Sequence, residues 1–258
     1  MSTIVIIVTG WLGLCLGSFT HLVVSRYSPT QTSHQFFNAI ILQRSHCPKC
    51  ESQLTWFSLI PVISWLMQQG KCHSCAAPIA IHYLLAEIFF AIICMLIVSY
   101  YGICLWSIIL ILLSIIFTIL IIIDYVYLLL PDSFNYSILL LGMICAVFEL
   151  GRLNLMEALC GSIFGLLLLG LPSLFYYLLT KRIGLGSGDI KLLAALGSWL
   201  EYPQLSILLI IASSLGLIHF FIIKKSWIKS FKKHTINQMT AIPFGPYLLI
   251  AGYGLLIC

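Results

Sequence analysis

Four cysteines and two aspartates are the residues of this 258-residue chain whose types and spacing could do chemistry. Cys47 and Cys50 lie in "HCPKCESQL", and Cys72 and Cys75 in "KCHSCAAPI". Both halves read C-x-x-C-x-x-x-[L/I], a small internal repeat. The spacing C-x2-C-x21-C-x2-C is that of a tetrathiolate zinc site. Each C-x-x-C turn offers two thiolates from one loop, and two turns supply the tetrahedral set that Zn2+ prefers. Four sulfurs close the shell, so the expected role is structural, with His46 and His73 adjacent but not needed. The competing chemistry is a pair of redox-active dithiols. A reducing cytoplasm and the matched halves favour zinc. Cys15, Cys94, Cys104, Cys145, Cys160 and Cys258 are scattered through apolar runs, where cysteine acts as a small hydrophobe.

The chain has eight acidic residues. Glu51, Glu149, Glu157 and Glu201 are expected to be solvated. Asp124 ends an apolar run in "IIIDYVYLLLPD", and Asp189 opens another after "GLGSG". Carboxylates at a membrane boundary are costly to retain and are functional suspects. Two of them close together in a low-dielectric site hold a shared proton. Such a pair can activate water with its carboxylate and protonate an amide leaving group with its acid, hydrolysing a peptide without a covalent intermediate. Gly184, Gly186 and Gly188 remove side chains just before Asp189, so a substrate backbone or a neighbouring helix can approach. The plainer alternative makes Asp189 the N-cap of its helix and Asp124 an interfacial helix end. Asp132 follows Pro131 and is placed to N-cap the next helix. Glu87, one turn inside an apolar run, is open between a site role and pairing with a basic group. Lys191 is most simply a cytoplasmic anchor.

The elements that must carry these residues are membrane helices. The chain is 61% hydrophobic and 8% charged, with a mean hydropathy of +1.08, far from the composition of soluble domains. Apolar runs near the length of a bilayer crossing recur at 4–24, 83–100, 104–123, 134–150, 155–179, 190–200, 204–223 and 243–257. The sixth is too short for an upright span and is expected to be tilted, broken or partly re-entrant. The first lacks the basic flank of a cleaved signal and reads as a retained helix. With the N-terminus outside, twelve of the thirteen Lys and Arg residues fall on the cytoplasmic side, and only Arg152 lies outside. The net charge of +5 therefore reflects orientation, and no nucleic-acid surface is needed. The expected architecture is an all-α polytopic membrane protein of about eight transmembrane helices with a small zinc-binding cytoplasmic loop domain. Its parts are a first transmembrane helix (1–25), the loop domain (26–81) and a membrane peptidase core (82–258). Asp124 and Asp189 share the cytoplasmic face.

Read together, the ordered motifs resemble the type 4 prepilin leader peptidases, membrane aspartic proteases of the GxGD kind. They are "GLCLGSFTHLVVSR", the two cysteine pairs with "IPVISW" (60–65) between them, "HYLLAE", "IDYVYLLLPD", "GLGSGDIKLLAALGSWL" and "IPFGPYL" (242–248). The resemblance implies that Asp124 and Asp189 form the catalytic pair and that Cys47, Cys50, Cys72 and Cys75 hold zinc. It implies an enzyme of the bacterial inner membrane with a periplasmic N-terminus. Such an enzyme cleaves a short basic leader from type IV prepilins and type II secretion pseudopilins. It then N-methylates the new N-terminus with S-adenosylmethionine. The cofactor rests on the resemblance alone: no glycine-rich nucleotide-binding turn is present, and the methyl-transfer residues are unknown from sequence. Membrane lipid is the other expected partner. His21 stands where the family has Asn, "HYLLAE" replaces R-Y-P-x-x-E, and "YVYLLL" is unusually apolar. The readings from other classes are a polytopic transporter or channel, and a membrane thiol oxidoreductase using the C-x-x-C pairs.

Overall fold

A computed structural model describes residues 3–182, 184–230 and 243–257. Lys232 and Lys233 of the cytoplasmic count, Ile242 of the last motif and Cys258 lie outside the described residues. Among the described residues the regular structure is helical, with only two isolated bridges. The chain divides into two compact units, Met1–Ile119 and Leu120–Cys258.

The first unit is built on α1 (Thr3–Ser25) and α4 (Ile81–Tyr101). Both are long and apolar enough to cross a membrane. They touch backbone to backbone. A Cβ on Gly13 would sit 2.6 Å from the Phe90 carbonyl oxygen, and one on Gly17 the same distance from that of Ala86. Small residues on one face allow this approach where no hydrophobic effect drives helices together. Between them run α2 (Ser33–Leu42) and α3 (Ile63–Met67). A capping box formed by Thr32 and Gln35 starts α2. Arg26 closes it, its guanidinium donating to the carbonyls of Ala39 at 2.8 Å and Ile40 at 3.0 Å. These oxygens belong to the last turn, which has no intrahelical donors left.

In the second unit, α6 (Asp132–Val147), α7 (Leu155–Thr180), α8 (Ser187–Leu196), α9 (Tyr202–Ser230) and α10 (Gly245–Ile257) follow α5 (Leu105–Tyr127), which begins in the first unit. Five helices, α1, α4, α5, α7 and Tyr202–Ile222 of α9, have the length and hydropathy of a crossing, whereas α6 and α10 are shorter. Each of the eight expected apolar runs falls on one of these helices. The expected weak sixth run is α8, ten residues long and enclosed by protein. Leu192, Leu193, Ala194, Ala195 and Leu196 are all buried, and so are Ser198 and Trp199 just beyond. Glycines on its neighbours let the backbones meet: a Cβ on Gly161 would lie 2.2 Å from the Gly197 carbonyl oxygen, and one on Gly165 2.7 Å from that of Leu193. The Trp199 indole N–H donates to the Ile138 carbonyl of α6 at 2.9 Å. A short helix is tolerated in such a place because protein, not lipid, satisfies its ends.

Candidate active site and metal centre

Asp124 lies in the last turn of α5 and is 5% exposed. Its Oδ2 accepts the N–H of Gly245, the first residue of α10, at 3.1 Å. That N–H is one of the donors a helix N-terminus leaves unpaired, and it carries the positive end of the helix dipole. A Cβ on Gly245 would stand 2.6 Å from the same oxygen, so only glycine lets the backbone come this close. The first turn of α10 is tied to α9 by Tyr247, whose hydroxyl hydrogen-bonds His219 Nδ1.

Asp189 lies in the first turn of α8 and is half-buried. It does not cap the helix. Gly186 is the cap residue, and no side-chain cap bond forms. Burial, and then the negative charge of Asp124, push the Asp189 carboxyl up from an ordinary 3.8 to about 6. The two carboxylates therefore feel one another within one unit. The preceding glycines make room for specific neighbours. A Cβ on Gly184 would meet the Tyr176 ring at 2.7 Å, and one on Gly188 would meet Leu130 at 3.0 Å, while beside Gly186 the nearest atom is Asp189 Oδ2 at 3.4 Å.

The apolar stretch after Asp124 crosses this region as a strap. Leu128 adopts a positive φ of 54° and its N–H donates back to the Asp124 carbonyl at 2.9 Å. Leu130 then packs on both Gly188 and Gly245. Asp132 is not the N-cap expected from sequence: Pro131 holds that position, and Asp132 is the first helical residue. A carboxylate one residue into the helix is drawn instead to a full charge. Lys191 Nζ donates to both Asp132 oxygens, at 2.8 and 2.7 Å. Lys191 is thus more than a membrane anchor. Nearby on α6, Asn135 is 1% exposed, and neither amide atom has a partner among the described residues. Sequence reasoning missed Leu130, Asn135 and the Gly245 donor. Only the motif "IPFGPYL" pointed toward the last of these.

In the first unit, Cys47, Cys50, Cys72 and Cys75 form, among the described residues, the one cluster of three or more His, Cys, Asp or Glu ligand atoms all within 4.8 Å of one another. The internal repeat seen in sequence is a repeat in three dimensions. In the first knuckle Cys47 N–H donates to Ser52 at 3.0 Å, Glu51 takes φ 57°, and His46 bridges Gln53. In the second, Cys72 N–H donates to Ala77 at 2.8 Å, Ala76 takes φ 55°, and Lys71 bridges Pro78. Cys47 and Cys75 sulfurs are 3.9 Å apart, close to the ~3.8 Å edge of a tetrahedron of sulfurs at ~2.3 Å from zinc. A hydrogen bond from the Ser52 hydroxyl, with help from its backbone, brings the Cys50 thiol down to about 6. Backbone N–H groups of Cys75 and Ser74 lower that of Cys72. Thiols biased toward thiolate are what a metal site needs. The donor set and its spacing therefore fit a four-coordinate ion.

Glu87, left open by the sequence, is 8% exposed and pairs with no basic group. Its Oε2 accepts the N–H of Val62 at 2.7 Å. Val62 takes φ 60° before α3, a strained backbone for a β-branched residue. The carboxylate is thus where the cysteine loop is pinned to α4.

Comparison with known proteins agrees with this arrangement. Residues 11–101 match the bacterial peptidase A24 N-terminal domain, and residues 111–221 match the type IV leader peptidase family. The prepilin leader peptidase/N-methyltransferase of Stutzerimonas stutzeri is 32% identical over 94% of this chain and 86% of its own length. The type 4 prepilin-like proteins leader peptide-processing enzyme of Escherichia coli is 31% identical over 93% of this chain and 89% of its own. A prepilin leader peptidase/N-methyltransferase from Dichelobacter nodosus is 31% identical over 95% and 88%. No solved structure matches the chain. The transporter and thiol oxidoreductase readings find no support in these matches. An all-helical chain rich in apolar spans, with a four-cysteine knuckle in one unit and two interacting aspartates in the other, belongs to the type IV leader peptidase family.

Proposed function

We propose that this chain is a prepilin peptidase of the aspartic type, with Asp124 and Asp189 as its catalytic pair, and that it also methylates the amino terminus it creates. The observation that carries the reading is the electrostatic contact between two carboxylates in one unit: Asp124 is held by the Gly245 N–H, and its charge raises the proton affinity of Asp189. One proton is then shared by two carboxyls. The ionised member takes a proton from water as its oxygen attacks the scissile carbonyl. The protonated member gives its proton to the amide nitrogen as the C–N bond breaks. The products are a free carboxylate on the leader and a free amine on the mature protein, with no acyl-enzyme. The glycines at 184, 186 and 188 leave backbone-sized room before Asp189.

The substrates in this reading are type IV prepilins and type II secretion pseudopilins, whose short basic leaders stay in the cytoplasm. The active site then faces the cytoplasm, the N-terminus is periplasmic, and the protein resides in the bacterial inner membrane with lipid around its exposed helix faces. The distribution of basic residues supports that orientation. Zinc on Cys47, Cys50, Cys72 and Cys75 has a structural role: four thiolates leave no open position for a reacting group. S-adenosylmethionine supplies the methyl group.

The test is cleavage of a purified prepilin by wild type, Asp124→Asn and Asp189→Asn. A mobility shift is expected for wild type and neither variant. Cleavage surviving in one variant removes that residue from the pair. Both variants should still methylate a pilin whose leader has already been removed.

A further inference from the structure

The ends of α1 and α4 carry an aromatic cluster that leader cleavage does not use. The His21 ring lies 3.6 Å, centroid to centroid, from Tyr83 at 30°, and 5.0 Å from His82 at 16°. One turn before His21, Gly17 brings the two helices into backbone contact, so the cluster sits on a rigid pair. His21 Nδ1 is buried and meets no partner among the described residues. Leaving such an atom unpaired costs about 1–3 kcal/mol. Tyr83 is 37% exposed and His82 is exposed as well, so the cluster is open along one edge. One turn further along α4, Glu87 is buried and tied to the cysteine loop through Val62.

We infer that this cluster is the methyl-transfer site, with His21 Nδ1 holding the amine of the processed pilin-like substrate and the Tyr83 and His82 faces receiving the methyl donor. The inference rests on the proposed reading of the chain as a bifunctional leader peptidase. The allocation follows from the two units. Asp124 and Asp189 both fall in residues 111–221, matched by the leader peptidase family, whereas the cluster falls in residues 11–101, matched by the separate N-terminal domain. Relatives bearing both activities in their names span both regions.

The residues present fit the cofactor. S-adenosylmethionine carries a sulfonium cation, and aromatic faces attract a cation within about 6 Å of the ring centre. The orphaned Nδ1, with the ring proton on Nε2, is an acceptor for an amine N–H. Accepting one N–H of the amine aims its lone pair along a fixed direction, which is the contribution of orientation to a displacement reaction. The lone pair forms the N–C bond as the methyl C–S bond breaks. The sulfur keeps the bonding pair in neutral S-adenosylhomocysteine, and the proton shed by the amine passes to water at the open edge.

The test uses the full-length protein in lipid nanodiscs with intact prepilin, pre-cleaved pilin and methyl-tritiated S-adenosylmethionine. His21→Leu should cut methylation of pre-cleaved pilin about tenfold or more, the scale of a lost buried hydrogen bond. His21→Asn, whose amide can offer an acceptor in nearly the same place, should restore most of it. Leader removal should be unchanged in both. Calorimetric titration with S-adenosylhomocysteine should give wild-type affinity for His21→Leu and weaker binding for Tyr83→Ala. Normal methylation in His21→Leu, or equal loss of cleavage and methylation in it, overturns the assignment. So does unaltered S-adenosylhomocysteine binding in Tyr83→Ala. A wild-type enzyme that cleaves but never methylates would instead refute the bifunctional reading itself, and a wild type that methylates but does not cleave would refute its peptidase half.

Discussion

At the residue scale the decisive feature is how little separates a backbone N–H from a carboxylate. Gly245 has no side chain to keep its N–H from Asp124, and a methyl group there would stand 2.6 Å from Oδ2. Gly245→Ala must therefore push the carboxylate aside and lose the 3.1 Å bond. The expected result is at least about a tenfold fall in leader cleavage, the scale of one charge-assisted hydrogen bond, with zinc content unchanged. Steady-state cleavage beside metal analysis checks it. The same pair sets a pH dependence. Asp189 is raised to about 6, so its neutral form is favoured up to that pH and is lost above it. Hydrolysis needs one proton on the pair, so kcat should fall along an alkaline limb that begins near this value. The limb belongs to the coupled pair rather than to one residue. A profile flat from pH 5 to 9 (roughly the span across which such a pair would lose its proton) would contradict a shared-proton mechanism.

At the scale of elements, the strap from Leu128 to Asp132 joins the end of α5 to the start of α8. Leu130 wedges against Gly188 and Gly245, and Asp132 grips Lys191 two residues past Asp189. The ion pair is exposed, with side-chain exposures of 37% for Lys191 and 52% for Asp132. By itself it contributes at most about 1 kcal/mol to stability. Its effect should instead appear in catalysis, through the placement of the first turn of α8. Lys191→Ala and Asp132→Ala are each expected to slow cleavage severalfold with little change in melting temperature. The double variant should be no worse than either single one, the signature of two residues acting through one contact. Additive losses would mean that they act separately. This strap also marks where the sequence stopped being informative. The helices were legible from length and hydropathy, α8 from its glycines and shortness, and both aspartates from their rarity in an apolar chain. The contacts that make a site of them were not. Asp132 meets Lys191 across 59 positions and Asp124 meets Gly245 across 121. Neither pairing leaves a local pattern. At Asp132 the local pattern misled, because a residue after proline looks like a cap until a distant lysine competes for it.

At the scale of the whole molecule, the separate contents of the two units make metal removal a selective experiment. The cysteine knuckles were readable in full because their chemistry is local: the same hydrogen bonds and the same positive φ recur 25 positions apart, at Cys47–Ser52 and Cys72–Ala77. Between the knuckles the loop has little buried apolar surface of its own, since Trp56, Phe57, Leu66 and Met67 are all exposed. A segment so thinly packed depends on the ion for its fold, and binding free energy becomes folding free energy. The loop reaches the helices through the Val62 N–H on Glu87, and the strained φ of Val62 needs the loop's order to persist. Chelation or Cys72→Ser should therefore release Val62 and leave the Glu87 carboxylate buried without that donor, beside Tyr83 and His21. Methyl transfer should fall first and furthest. Leader cleavage, whose aspartates lie in the other unit, should fall less and recover in parallel when zinc is restored. One zinc per chain in the purified protein, lost on chelation together with methylation, is the expected result. An enzyme that carries no zinc, or that keeps both activities after Cys72→Ser, would show that the four sulfurs do not organise the unit in which they lie.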